Sequence, residues 1–145
     1  MITNLIGVLL FLIFIFLSAI HFYWGLGGTW GANAAIPTKE NNEKLMNPKL
    51  FECFVVAIVL LGFGIFVLAY SKSVSINLPT WLLYYGAPAL SLLFICRAIG
   101  EFKYVGFFKK VKSTRFGQLD TKYYSPLCLL IGFLVMTLVL IKLKQ

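Results

Sequence analysis

"LIGVLLFLIFIFLSAIHFYW", residues 5–24, carries no charged side chain. A helix of roughly 20 apolar residues spans the hydrocarbon core of a bilayer, and this run has that length. Its last turns change character. Ser18 and His21, the single histidine of the chain, are followed by Tyr23 and Trp24, and then by Gly25, Gly27, Gly28 and Gly31. The stretch therefore points to a membrane helix with something polar built where it leaves the lipid.

Three more apolar runs lie outward from it, at about residues 50–70, 81–100 and 126–141. Unpaired backbone is costly in lipid, so each is expected to be a helix. Charged residues make up 12% of the chain, against roughly a quarter in soluble domains. Mean hydropathy is +0.89. The expected fold is an all-α integral membrane protein, a four-transmembrane-helix bundle. It forms one domain over residues 1–145, with helices at about 5–24, 50–70, 81–100 and 126–141. Loops 25–49 and 101–125 share one end. The first run lacks a basic leader and a small-x-small cleavage pattern, so it reads as a retained helix.

Charge sets the expected orientation. The two long loops carry nine Lys and Arg residues, and the opposite side carries three, Lys72, Lys142 and Lys144. The positive-inside rule places the long loops in the cytoplasm and both termini outside, as in a bacterial cytoplasmic membrane. The formal charge of +8 is then mostly a cytoplasmic-face charge, drawn to anionic headgroups. The run "KYVGFFKKVKSTRFG", residues 103–117, mixes aromatics with Lys but is tied to a membrane helix on each side. It reads as an interfacial segment and not as a nucleic-acid site.

Packing signals follow. Gly7, Phe11, Phe14, Ser18 and His21 fall at spacings of three and four, one stripe of the first helix, which should face into the bundle. Ala57, Gly62 and Gly64, and then Gly86, Ala87 and Ala89, offer small surfaces for helix contact. Pro88 should kink the third helix. Asn47-Pro48 and Ser125-Pro126 read as cap and first turn of the second and fourth helices.

Polar residues gather at one end: His21, Glu52, Cys53, Cys96, Arg97, Glu101, Asp120, Tyr123, Tyr124 and Cys128. Arg97 is the deepest cation and needs a partner. Glu101, four residues on, is the natural one, and Asp120 is a second candidate. His21 suits a proton carrier or a hydrogen-bonded interface residue. A metal site is not expected, because there is no CxxC, HxxxH or HExxH pattern. The thiols face the reducing side in this topology, so no disulfide is expected either. Aromatic belts account for Tyr23, Trp24 and Trp30. The clustered glycines ask for more, a backbone that folds back beside His21.

Two long segments carry a resemblance. "HFYWGLGGTWGANAAIP" (21–37) holds His21, Tyr23, Trp24, Gly27 and Gly28. "RAIGEFKYVGFFKKVKSTRFGQLDTKYYSPLCLLIG" (97–132) holds Gly106, Phe107, Phe108, Arg115, Phe116, Asp120, Tyr124, Ser125 and Pro126. Together they resemble a family of small bacterial four-helix membrane proteins catalogued as domain of unknown function 3995. The resemblance implies that both signature loops lie on one face of the membrane. It implies no activity and no cofactor.

The expected function is binding of an anionic or amphipathic small molecule or lipid at the cytoplasmic end. Tyr23, Trp24, Gly27, Gly28, Arg97, Arg115 and Tyr124 are the candidate ligand contacts, with the arginines holding the anion. His21, Glu101 and Asp120 are the candidates for any proton chemistry. The alternative is a non-enzymatic accessory subunit of a larger membrane complex, or one partner of a homo-oligomer.

Overall fold

The computed structural model describes residues 1–41 and 43–144. The long helices are α1 (Ile2–Gly25), α3 (Leu50–Tyr70), α4 (Thr80–Ile99) and α6 (Ser125–Leu143), and α2 (Ala32–Ala35) and α5 (Arg115–Leu119) are short. A π-helical turn, Asp120–Tyr124, joins α5 to α6 without a break. Four helical stretches are long and apolar enough to cross a membrane: Ile2–Gly25, Leu50–Tyr70, Thr80–Ile99 and Arg115–Leu143.

The bundle is built as two pairs. α1 lies along α3 and α4 lies along α6, and these are its most extensive contacts. Small residues permit the close approach, and one buried hydroxyl bridges each pair. Ser18 Oγ donates to the Ala57 carbonyl at 2.7 Å. Ser91 Oγ donates to the Gly132 carbonyl at 2.8 Å. In lipid such packing and bonding replace the hydrophobic drive. The pairs join through Leu10, Phe14, Val67, Leu90, Phe94, Ile131 and Val135. Phe14 meets Phe63 and Phe94 edge-on, at centroid distances of 5.9 and 5.5 Å.

The α1 stripe faces inward as the spacing predicts. Gly7, Phe14 and Ser18 are buried, and Phe11 and His21 are half-buried. Ala57, Gly64 and Ala87 are buried too, but Gly62 and Ala89 face outward. A Cβ at Gly62 would meet nothing within 4 Å, so that glycine makes no close helix contact. α4 runs through Pro88.

Both expected caps need correction, although Pro126 does stand in the first turn of α6. α3 begins at Leu50, two residues beyond Pro48, and its Ncap is Lys49. The Lys49 backbone N–H donates to Glu52 Oε2 at 3.0 Å, so the acid of the first turn replaces the Asn cap. Ser125 is not a cap either, because helix already precedes it. Pro126 has no N–H for the Lys122 carbonyl, and its ring crowds that oxygen. The chain widens there into the π turn, in which the Ser125 N–H reaches the Asp120 carbonyl. Asp120 and Ser125, five residues apart, are both fully buried.

Candidate functional site

The chain from the end of α1 folds back on itself. Trp24 Nε1 donates to the Trp30 carbonyl at 2.8 Å, and the Gly28 N–H donates to the Tyr23 carbonyl at 2.9 Å. A Cβ on Gly28 would overlap the Tyr23 ring, and Gly27 sits at φ +90°. The glycines thus serve a tight return under an aromatic ring.

That return roofs a cavity of about 480 Å³. His21 and Trp24 come from α1, Gly27 and Gly28 from the return, Ala32 and Ala35 from α2, and Glu52 and Cys53 from α3. Its walls are mostly apolar, with Lys44 as the one cation on them among the described residues. His21 Nδ1 lies 2.8 Å from the Leu17 carbonyl. A carbonyl only accepts, so Nδ1 carries the proton, and when the ring is neutral Nε2 is left as an acceptor. Among the described residues Nε2 has no hydrogen-bond partner. The His21 ring also meets the Trp24 ring edge-on at 5.0 Å.

The second polar group centres on Asp120, which is fully buried. Its Oδ1 accepts from Arg97 Nη2 at 3.1 Å. Its Oδ2 accepts from Lys109 Nζ at 3.0 Å and from the Gly106 N–H at 2.8 Å. Lys109 is itself 2% exposed, and it also donates to the Gly106 carbonyl at 2.9 Å and to Thr121 Oγ1 at 2.6 Å. One carboxylate thereby ties α4, the 100–112 loop and the π turn together. Gly100 and Gly106, at φ +86° and +91°, allow the loop to press on the end of α4. A Cβ on either would overlap the backbone of the other strand of the loop.

The Arg97–Glu101 pairing is therefore corrected: the partner of Arg97 is Asp120. The i, i+4 geometry fails because α4 ends at Ile99 and Gly100 turns the chain away. Glu101 is exposed and accepts instead from the Tyr104 N–H at 3.2 Å. Lys109 is the residue that sequence reasoning missed. Nothing local separates it from Lys110. Only the need of a buried carboxylate for a second cation marks it.

The expected single site is divided. His21, Trp24, Gly27 and Gly28 line the cavity. Arg97 and Asp120 belong to the ion cluster, and neither is on the cavity wall. Arg115 is exposed at the start of α5. Tyr23 is exposed, and its hydroxyl accepts from the Trp30 N–H at 3.4 Å. Tyr124 bridges the two halves: its hydroxyl donates to the Ala34 carbonyl of α2 at 3.4 Å, and its ring lies 6.0 Å from that of Phe116. Of the thiols, Cys53 is buried at the cavity, Cys128 is half-buried and Cys96 is exposed. In the first loop Lys39 and Glu43 pair at 3.0 Å. The bond to Lys39 holds the Glu43 carboxyl below its ordinary range, although an exposed pair contributes little stability.

Four spanning-length helices with two polar groups at one end define a multi-pass membrane protein. The family model described as protein of unknown function (DUF3995) matches residues 14–135. The chain belongs to that family. No curated protein and no solved structure matches it.

Proposed function

We propose that the chain is a membrane-embedded binding protein whose ligand, a small amphipathic molecule or a lipid, occupies the His21 cavity. The observation that carries this reading is the cavity itself. At about 480 Å³ it falls in the range of ligand pockets, roughly 300–1,000 Å³, which are mostly apolar with a few placed polar groups. Trp24, Ile36 and Val56 offer an apolar wall, and His21, Lys44 and Glu52 offer polar contacts. The head of the ligand would give a hydrogen bond to His21 Nε2, and its anionic part would meet Lys44. Arg97 would act from a distance, by holding the Asp120 cluster that supports α2, at the cavity wall, through Tyr124. The basic loops favour the cytoplasmic side for this end.

Native mass spectrometry of protein extracted gently from its own membrane tests the reading. A bound small molecule is expected on the wild type. It should be lost on His21→Ala and on Ala35→Trp, which fills the cavity, and kept on Arg115→Ala. A bare chain, or one accompanied only by another protein, overturns the proposal in favour of an accessory subunit.

A further inference from the structure

The 101–124 segment holds two acids, Glu101 and Asp120. Asp120 is withdrawn from the surface and shared between Arg97 and Lys109. What remains outside is one-sided. Lys103, Lys110, Lys112, Arg115 and Lys122 are exposed, against the single exposed carboxylate of Glu101. Two large apolar rings stand among these cations. Phe102 is 58% exposed and Phe108 is 65% exposed, with ring centroids 6.4 Å apart.

The platform under them is fastened. The Phe107 N–H donates to the Ala98 carbonyl at 2.8 Å, and the Val111 N–H donates to the Lys103 carbonyl at 3.0 Å. The Lys110 N–H lies 3.2 Å from both the Phe102 and the Lys103 carbonyls. Phe102 also sits at φ +68°, a region that a bulky L-residue enters only under strain. In water, a strained backbone that holds a ring away from the protein gains nothing. At a membrane surface the ring leaves water while the neighbouring cations meet phosphates.

We infer that the face carrying Phe102, Lys103, Phe108, Lys110 and Lys112 is a docking surface for anionic lipid headgroups, with the two rings as anchors. The segment is joined to α4 on one side and to α6 on the other, which keeps the face at the end of the bundle where the spanning helices stop. The inference does not depend on the His21 cavity.

The test uses the full chain in nanodiscs of equal phosphatidylcholine and phosphatidylglycerol with matched acyl chains. Lipids retained on release into mild detergent are counted by native mass spectrometry. Wild type should retain phosphatidylglycerol in about fivefold excess, falling with added salt, as expected for several cations near one leaflet. The exposed triple variant Lys103→Gln/Lys110→Gln/Lys112→Gln should return the ratio to that of the bulk. Phe102→Gly should hold or raise the melting temperature, because the strain is relieved, and still lower the excess. An unbiased wild-type ratio, or a triple variant that keeps the full excess, overturns the inference. So does a face that binds an acidic soluble protein while showing no lipid preference.

Discussion

Asp120 is the residue with most to lose. Taking one partner out of a buried ion cluster strands the rest, at about 3–5 kcal/mol. Asp120→Asn leaves both Arg97 and the buried Lys109 without their anion, so it should be the worst change in the cluster. Lys109→Met takes a donor from Asp120, the Gly106 carbonyl and Thr121 but leaves Asp120 with Arg97 and the Gly106 N–H, so it strands no charge and should cost less than Asp120→Asn. Glu101→Gln should be close to neutral, since Glu101 is exposed. Melting temperatures of the three variants in one detergent check this order. Equal losses for Asp120→Asn and Glu101→Gln would restore the helix-face pairing. The spacing of the sequence predicts that pairing, and it fails for a local reason, the turn at Gly100.

Among the elements, glycines divide by what surrounds them. A Cβ at Gly106 would overlap the backbone of Ile99 and Gly100, and one at Gly132 would press on Ile95. Gly106→Ala should therefore destabilise by about 2–4 kcal/mol, since it combines overlap with an unfavourable φ. Gly62→Ala adds a methyl into open space inside α3 and should stabilise, by up to about 1 kcal/mol of helix propensity. Thermal unfolding of both variants separates them by sign. The small-residue pattern alone could not make that distinction, because Gly62 and Gly64 look alike until α1 is placed beside α3. The π turn was equally hidden. Pro126 announces a break in regular helix, but it marks a cap and a widened turn in the same way. Only the helix already present upstream, α5, decides between them.

For the whole molecule, the two helix pairs leave the His21 cavity on the α1–α3 side and the Asp120 cluster on the α4–α6 side. Tyr124 links them through α2. If the cluster supports α2 at the cavity wall, Tyr124→Phe should weaken retention of the cavity ligand by a few fold with little change in melting temperature. Retention is measured by native mass spectrometry beside His21→Ala. Orientation is the other property of the whole. The charge asymmetry predicts both termini outside, so a phosphatase fused at the C-terminus should be active outside the cytoplasm, and a fluorescent protein that matures only in the cytoplasm should stay dark there. The reverse result would turn over the placement of both sites.

The four helices and their common polar end were legible in the sequence. They follow from properties that act along the chain: run length against bilayer thickness, and the backbone's need for internal hydrogen bonds in lipid. Tertiary structure alone decided which cation meets which carboxylate. It buried Lys109 and left Lys110 outside, gave Arg97 to Asp120, and separated His21 from Arg97. These outcomes depend on loop closure at Gly100 and Gly106 and on which helices become neighbours. Buried charges are settled by the nearest counter-charge in space, and distance along the chain does not report that.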